Sequence, residues 1–299
     1  SRQYRNSNII KEIIINTNQH FDENMSSVFF NEMLIPEPKY NLGIASLSHG
    51  AMTGRQIEAI EVVLIKEKPN FVLVYGDTNS TLAGALASSK LNIPLIHVEA
   101  GLRSFNKKMP EEINRVLTDH MSDLLFTPSD VANKNLYNEG ISKSKIKMVG
   151  DIMYDAALFF GKIAEKKSSI LDRLGLNSSS YLLATIHRAE NTDNEGKLRS
   201  VFKGFQNSPL PVYIPLHPRT RSKIKKYNIP TSGSINIIEP LGFLDMLQLE
   251  KNATKILTDS GGVQKEAFYF QVPCITIRDQ TEWVELIKNK SNVLVGPNA

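Results

Sequence analysis

Acidic side chains stand after two apolar segments in the first half of the sequence. Asp77 and Glu99 each follow such a segment closely. A carboxylate at the end of an apolar strand is either desolvated and paired, or placed there to transfer protons. Glu111 and Glu112 come after Pro110, and a charged first turn of a helix explains that pair about as well as a functional role does. The sequence therefore offers Asp77, Glu99 and Glu111 as candidates for acid–base chemistry.

A histidine and an arginine stand together after an apolar segment in the second half. His187 and Arg188 are of the types that contact phosphate or donate a proton beside a leaving group. A single histidine is more often structural, so the motif alone leaves both roles open. The motif HPRT at residues 217–220 is a weaker candidate of the same kind. A role in loop structure and a contact on the phosphate side explain it equally well.

Ser260, Gly261 and Gly262 stand where another apolar segment passes into a predicted helix. Backbone N–H groups at a helix N-terminus bind anions, and glycines allow a diphosphate to approach the backbone. Taken alone, so short a glycine motif is more often a plain tight turn. Glu266, one turn into the same helix, is placed to accept hydrogen bonds from ribose hydroxyls. Taken alone, that position is better explained by a solvated helix face.

Short apolar segments must position these residues. In the first half they fall at residues 13–15, 71–75, 94–98, 124–126 and 147–149, and in the second half at 181–186, 212–215, 235–238, 255–257, 274–277 and 292–295. Their alternation with helical patterns predicts an α/β protein with two Rossmann-like units. Residues 161–180, rich in Lys and Ser, separate the two series, so we place the boundary near residue 165. Since open α/β sheets bind ligands beyond their strand ends, the active site is expected in a cleft between the units.

Composition excludes several classes of protein. The 299 residues are 41% hydrophobic and 22% charged, as in folded globular proteins. The net charge of +4 includes no basic run, so we expect a small anionic ligand and no nucleic acid. Cys274 is the only cysteine and no apolar run is long enough for a membrane span, which predicts a cytoplasmic protein. The absence of GxGxxG, P-loop, CxxC and HExxH motifs predicts neither a nicotinamide cofactor nor a metal.

Six motifs, in this order and spacing, resemble the non-hydrolysing UDP-N-acetylglucosamine 2-epimerase family: GDTNST, HVEAGLRS, MPEEINR, HRAENTDN, HPRT and LTDSGGVQKEA. The resemblance covers essentially the whole chain. It implies the glycosyltransferase-B architecture, with a Rossmann-like N-terminal domain at 1–165 and a Rossmann-like UDP-binding domain at 166–299. It also implies a homodimer without a cofactor. Family members begin with a further strand and loop and end with further helices, which we expect to be missing here.

The same resemblance implies roles for individual residues. The family's catalytic groups match Asp77, Glu99, Glu111 and His187. Its UDP-binding segment matches Ser260, Gly261, Gly262 and Glu266. Three cations lie beside these motifs and are expected to contact anionic groups of the substrate: Arg103, Arg188 and Arg278. The region that binds an effector UDP-sugar in some bacterial members resembles segments containing Gln19, His20, Met25 and Arg55.

Within the family, the sequence looks most like a subgroup that acts on UDP-2,3-diacetamido-2,3-dideoxy-glucuronate in the synthesis of bacterial surface polysaccharide, such as the O-antigen of lipopolysaccharide. The stretches VYGDTNSTLAGALASSKL and GGVQKEAFYFQVPCITIRDQTEWVEL carry this likeness. Epimerases of UDP-N-acetylglucosamine typically have Glu where Lys265 stands, and Arg-Pro where Trp283 and Val284 stand. We therefore predict the uronate as substrate, with UDP-N-acetylglucosamine as the alternative.

The chemistry implied by the resemblance avoids direct removal of a weakly acidic proton. Carbon 2 of such a sugar has no adjacent carbonyl, so UDP is first eliminated to give a 2-acetamidoglycal and is then added back with a proton on the opposite face of carbon 2. This route uses carboxylates on both faces of the sugar and N–H or cationic groups that hold UDP. Which carboxylate removes the proton stays open. A glycosyltransferase, a hydrolysing epimerase and a UDP-sugar-binding module without catalysis are the other readings.

Overall fold

The computed structural model describes residues 9–18 and 32–297. The chain divides into two compact units, Ser1–Ile152 (unit 1) and Met153–Ala299 (unit 2). Each unit is an α/β structure whose strands pair in parallel. Within the described ranges, no helix is both long enough and apolar enough to cross a bilayer.

Unit 1 contains a parallel sheet with the strand order β3-β4-β5-β6. Its strands are β3 (Val72–Tyr75), β4 (Leu95–Val98), β5 (Leu124–Thr127) and β6 (Ile146–Met148). A separate parallel pair joins β1 (Ile15–Asn16) and β2 (Tyr40–Asn41). The strands predicted from apolar segments are all present, whereas β2 was not predicted because its two residues, Tyr and Asn, lack an apolar run. Since the strands of the larger sheet are parallel, the loops that follow them lie along one edge.

The helices described in unit 1 are α1 (His49–Glu67), α2 (Asn79–Lys90), α3 (Pro110–Met121) and α4 (Asp130–Asn138). Helix α2 begins at a capping box in which Thr78 and Thr81 each satisfy a backbone N–H of the other. It packs against both α1 and α3. Small side chains such as Ala83 and Ala87 allow this close packing, and they form a core with Ile60 and Leu64 of α1.

Unit 2 contains a parallel sheet with the strand order β9-β8-β7-β10-β11-β12. Its strands are β7 (Leu182–Thr185), β8 (Val212–Pro215), β9 (Ile235–Ile238), β10 (Lys255–Thr258), β11 (Cys274–Ile277) and β12 (Asn292–Val295). The chain starts in the middle of the sheet, builds outward on one side, and returns to build the other side. This is the order of a Rossmann fold, and its switch point lies between β7 and β10.

The helices described in unit 2 are α5 (Ile152–Lys167, which begins at the last residue of unit 1), α6 (Ile170–Leu174), α7 (Ala189–Thr192), α8 (Glu195–Gln206), α9 (Pro218–Lys226), α10 (Phe243–Asn252), α11 (Gly261–Tyr269) and α12 (Val284–Lys288). The sequence boundary predicted near residue 165 falls within α5. That helix forms because Ala157, Phe160, Gly161 and Ala164 recur at helical spacing and are buried. Two hydrophobic clusters flank the sheet, one of them built on α8 and the other on β10, α10 and α11.

Candidate active site

The carboxylates predicted from the strand ends, Asp77 and Glu99, lie in neighbouring loops of unit 1. Strands β3 and β4 pair directly, with Tyr75 opposite Val98. Gly76 has a φ of +63°, and a Cβ at this position would lie 3.3 Å from Oε2 of Glu99. Glu99 itself has a φ of +75°, which is unfavourable for any residue but glycine and recurs at functional sites. The structure therefore brings the two predicted acids to one place.

Helix α3 holds the Asp77 loop. Nη1 of Arg115 donates a hydrogen bond to Oδ2 of Asp77 at 2.6 Å, and Nδ2 of Asn114 donates to the Asp77 backbone carbonyl at 2.9 Å. The Arg115 side chain is 2% exposed, while that of Asp77 is 33% exposed. The Asp77 carboxylate is thus held by a buried cation and remains partly exposed.

Glu111 lies in the first turn of α3, directly after Pro110. It precedes Asn114 and Arg115 by three and four residues, so it shares the face of α3 that holds the Asp77 loop. The residue is half-buried. This placement puts the third predicted carboxylate on the helix face that carries the partners of the first.

The neighbouring acid, Glu112, is buried rather than part of a solvated helix N-terminus, the simpler explanation that the sequence had left open. It accepts hydrogen bonds from the backbone N–H groups of Ser104 and Phe105 at 2.8 and 2.9 Å, and from Nη2 of Arg115 at 2.8 Å. Burial opposes its charge, yet the bonds from Ser104 and Arg115 lower the pKa of the Glu112 carboxyl below its usual value. Glu112 therefore orients Arg115 towards Asp77 and anchors the loop that follows Glu99.

A buried imidazole connects the same two loops. His97 and Asp119 are both fully buried; Nδ1 of His97 lies 2.7 Å from Oδ1 of Asp119, and Nε2 lies 2.8 Å from the Gly76 carbonyl. Asp119 also accepts hydrogen bonds from Gly101 and Arg103. The His97 ring therefore links the loop after β3 to helix α3, which carries Asp119. Burial opposes the Asp119 charge, but His97 and Arg103 lower the pKa of Asp119.

Arg103, predicted to contact an anionic group of the substrate, is 2% exposed. Its guanidinium donates to both oxygens of Glu139 at 2.7 Å each, to Asp119 at 2.7 Å and to the Leu102 carbonyl at 2.7 Å. The structure thus pairs this cation with carboxylates of its own unit. Through these bonds Arg103 ties the loop after β4 to helix α3 and to the end of α4.

In unit 2, His187 and Arg188 follow β7 and face the residues that follow β10, across the switch point of the sheet. The carboxylate of Asp259 accepts the backbone N–H groups of His187 and Arg188 at 3.1 and 3.0 Å, and Nδ2 of Asn191 at 3.0 Å. Asp259 is fully buried. Its charge is compensated by backbone and amide donors, which fix the histidine loop against the start of the next helix.

The His187 side chain is 37% exposed and lies 3.5 Å from Asp259 at Nδ1. Its ring centroid is 5.8 Å from that of His217. Burial lowers the pKa of His187; Asp259 opposes this, whereas Arg188, His217 and Arg219 reinforce it by charge repulsion. A neutral imidazole at neutral pH can exchange a proton with a bound group, as the predicted role requires.

The predicted anion site follows β10. Ser260 is the N-cap residue of α11, which begins at Gly261. A Cβ at Gly261 would lie 2.5 Å from Oε1 of Glu282, and its carbonyl accepts a hydrogen bond from the Trp283 indole at 3.0 Å. Gly261 is therefore required by packing within the protein. At Gly262 the nearest atom to a built Cβ is 3.6 Å away, so this glycine leaves the N-terminus of α11 approachable.

Arg278, the third predicted cation, is 1% exposed. Its Nε donates to Glu190 at 3.0 Å and its Nη1 donates to Glu282 at 2.9 Å. This ion-pair cluster joins α7 to the segment that packs on Gly261. Like Arg103, Arg278 is placed to support a loop, whereas the half-buried Arg188 lies beside His187 in the loop itself.

In the HPRT motif, Nδ1 of His217 accepts a hydrogen bond from the Arg219 backbone N–H at 3.2 Å and so caps α9. Thr220 donates to the Ile186 carbonyl at 2.5 Å, and Arg219 pairs with Asp193 at 2.5 Å. These contacts tie α9 to the His187 loop. A cavity of about 450 Å³ lies beside the motif, lined by residues that include Leu216, Pro218, Arg221, Lys225 and Glu239.

The remaining predicted residues are divided between described and undescribed parts of the chain. Glu266 is partly exposed on α11, and burial raises the pKa of its carboxyl to about 7. Arg55 is exposed on α1, while Gln19, His20 and Met25 lie outside the described residues. Among the described residues, no group of three or more His, Cys, Asp or Glu side chains is arranged to hold a metal ion.

Sequence reasoning missed the residues that hold the candidate groups in place. These supporting residues lie far along the chain from the groups that they hold. Asp119 contacts His97, Asp259 contacts His187, and Arg115 contacts Asp77. A weak signal existed for α3, because Glu112 and Arg115 are three residues apart and therefore share a helix face. Asp259 and His187 are 72 residues apart, so no local sequence pattern could indicate their contact.

Comparison with known proteins gives a consistent result. The family model described as UDP-N-acetylglucosamine 2-epimerase matches residues 2–299. A UDP-N-acetylglucosamine 2-epimerase homolog of Methanococcus maripaludis is 56% identical, over 96% of this chain and 82% of that protein. The UDP-2,3-diacetamido-2,3-dideoxy-D-glucuronate 2-epimerase of Pseudomonas aeruginosa is 53% identical, over 96% and 80%. The chain also resembles the crystal structure of Methanocaldococcus jannaschii UDP-GlcNAc 2-epimerase in complex with UDP-GlcNAc and UDP. The two are 49% identical, and the match covers 99% of this chain and 84% of that one, with a TM-score of 0.94.

Proposed function

Since the chain belongs to the UDP-N-acetylglucosamine 2-epimerase family and is an isomerase, we propose that it inverts carbon 2 of UDP-2,3-diacetamido-2,3-dideoxy-glucuronate to give the mannuronate epimer. The two Rossmann-like units are those of the family's glycosyltransferase-B-like fold. UDP is eliminated to a 2-acetamidoglycal and added back from the same enzyme, with the C2 proton returned on the opposite face. The alternative substrate is UDP-N-acetylglucosamine, which would give UDP-N-acetylmannosamine.

The proposal rests mainly on the proximity of Asp77 and Glu99 in neighbouring loops. Removing a proton from one face of the sugar and returning one to the other requires two groups that can each carry it, and carboxylates serve in both roles. Asp77 is partly exposed and is held by the buried Arg115. Glu99 holds a strained backbone conformation beside it. Glu111, on the α3 face that holds this loop, is the third proposed proton carrier.

Unit 2 supplies the groups that hold UDP in the proposed reaction. The N-terminus of α11, approachable at Gly262, offers backbone N–H groups to the diphosphate. His187, held by Asp259 and of lowered pKa, is placed to act on the side of the leaving phosphate. Glu266 on the same helix is the proposed acceptor for ribose hydroxyls.

Lys265 supports the uronate as substrate. It is 6% exposed, and its Nζ lies 4.2 Å from the centroid of the Trp283 ring and 3.4 Å from Oε1 of Glu285. A stacked and buried cation of this kind is held in a defined position. The uronate carries a carboxylate that UDP-N-acetylglucosamine lacks, and Lys265 adds positive charge to the nucleotide-binding helix where relatives that act on UDP-N-acetylglucosamine are expected to have a second Glu.

Proton NMR in deuterated water tests the proposal with each nucleotide sugar offered separately. Deuterium entering carbon 2 of the uronate alone supports the proposed substrate, and exchange on UDP-N-acetylglucosamine alone supports the alternative. No exchange on either sugar, with UDP bound, would reduce the protein to a binding module. Lys265→Gln is expected to slow exchange on the uronate by about tenfold, the loss of one charge-assisted contact, with little effect on UDP-N-acetylglucosamine.

A further inference from the structure

Helix α10 carries an acid that the proposed reaction does not use. Glu250 is fully buried, and neither of its carboxyl oxygens has a conventional hydrogen-bond donor. Helix α10 packs against α11, which carries another acid, Glu266, whose charge acts on Glu250. Glu266 is partly exposed, so it reaches both Glu250 and the surroundings of the protein.

Two neighbouring carboxyl groups in the interior, without a cation between them, are not both ionised, so the pair retains a proton. Glu266, the Tyr181 phenol and the Cys274 thiol lie close enough to Glu250 for their charges to interact, and none of the three is a cation. The Tyr181 hydroxyl donates to the Leu249 carbonyl at 2.7 Å instead of to Glu250. Burial and the Glu266 charge raise the pKa of Glu250 well above its usual value.

We infer that Glu250 is a positioning residue for nucleotide recognition, whose protonated carboxyl donates a hydrogen bond to Glu266 and leaves the outer oxygen of Glu266 for the two ribose hydroxyls. This inference rests on the proposed function, because it takes the ribose of UDP as the ligand of Glu266. The proton sits on the inner acid because Glu250 is fully buried and Glu266 is not. The outer acid is then the ionised acceptor.

The arrangement makes UDP binding depend on pH. Burial raises the pKa of Glu266 to about 7, and the hydrogen bond from Glu250 lowers that pKa relative to burial alone. Above pH 7 the Glu266 carboxylate is ionised and accepts hydrogen bonds from the ribose. As the pH falls through this value, Glu266 gains a proton and loses acceptor capacity, so the affinity for UDP declines.

The test measures the dissociation constant of UDP by calorimetry from about pH 6 to about pH 9, the range around the raised carboxyl pKa. Glu250→Leu removes the donor, so UDP affinity at neutral pH is expected to fall about tenfold and the midpoint of the pH dependence to move upward. Glu250→Gln keeps an N–H donor of similar shape and is expected to bind UDP with an affinity close to that of the wild type. A merely structural glutamate would instead change the affinities for UDP and for a nucleotide without ribose hydroxyls alike.

The control ligand is 2′,3′-dideoxy-UDP, which carries the same diphosphate without the ribose hydroxyls. Its affinity is expected to be equal in the wild type and both Glu250 variants. If the wild type binds neither nucleotide, the proposed function fails. If the wild type binds UDP and Glu250→Leu binds it with the same affinity and pH profile, the role of Glu250 is overturned and the function stands. Should the Leu variant not fold, Glu250→Met, of similar volume, replaces it.

Discussion

The two units hold their acidic groups by different means. In unit 1, the carboxylates are paired with basic side chains: Glu112 and Asp77 with Arg115, and Asp119 with His97 and Arg103. In unit 2, the buried Asp259 faces backbone and amide N–H groups. There, burial and the neighbouring Glu266 raise the pKa of Glu250, whose carboxyl oxygens have no hydrogen-bond partner among the described residues.

This difference separates fixed charge from adjustable charge. Ion pairs and multiple hydrogen bonds lower the pKa of Glu112 and Asp119 and keep the supports of Asp77 ionised throughout the neutral range. In unit 2, burial without a cation raises the pKa of Glu266 to about 7 and lowers that of His187. The first arrangement keeps the geometry of the acids that we propose to transfer protons constant. The second leaves the proposed nucleotide-binding side able to exchange protons near neutrality.

The largest expected effect comes from the open carboxylate of unit 1. Asp77→Asn keeps the shape and an acceptor for Arg115 but removes the proton-carrying function, so C2 exchange with solvent should fall by about a hundredfold to ten-thousandfold. Deuterium uptake at carbon 2 measures this loss. The matched control is Asp130→Asn at the start of α4, which should leave the rate unchanged.

Removing the fixed charge of unit 1 should have the largest effect on stability. Arg115→Met leaves Glu112 buried without its cation, and breaking a buried pair in this way costs about 3–5 kcal/mol. Arg199→Met removes an exposed pair with Glu195 on α8 and should cost less than about 1 kcal/mol. Denaturant unfolding compares the two variants, and equal losses would contradict the structural role of Arg115.

The sequence predicted the strand ends well and their supports poorly. Apolar runs locate β3 and β4, so the positions of Asp77 and Glu99 follow from the chain alone. Arg115 and Asp119 approach these loops from a helix whose orientation depends on packing, which no local pattern encodes. The sequence does not distinguish an arginine that faces a substrate from one that faces a buried carboxylate of the protein. Arg103 and Arg278 both pair with buried carboxylates here.

A glycine of unit 1 tests how tightly the loop after β4 is packed. Gly101 and Gly140 have the same φ of +82°, but a Cβ at Gly101 would lie 2.6 Å from the Ala132 carbonyl oxygen, whereas at Gly140 nothing lies within 4 Å. Both alanine variants carry the backbone strain, and only Gly101→Ala adds the clash. We expect Gly101→Ala to lose about 1–3 kcal/mol more than Gly140→Ala in denaturant unfolding, the usual penalty of overpacking. Equal losses would indicate a loop that relaxes freely.

The smallest effect concerns the adjustable charge of unit 2. His187 should titrate below the ordinary histidine value of about 6.5, so the unfolded chain binds its proton first and this residue removes stability as the pH falls below that value. Asp259→Asn removes the negative charge that opposes the shift and should lower the pKa of His187 further, as read from its ring proton resonances. Asp279→Asn, an exposed acid paired with Lys197, is the control and should leave the titration unchanged.

We propose that the acids of unit 1 transfer the proton and that the groups of unit 2 bind the nucleotide. The most direct test measures UDP affinity and C2 deuterium exchange together in Asp77→Asn and Glu266→Gln. We expect Asp77→Asn to bind UDP as the wild type does without exchanging the C2 proton, and Glu266→Gln to bind UDP more weakly while exchange continues at saturating substrate. Normal deuterium uptake in Asp77→Asn would contradict the account.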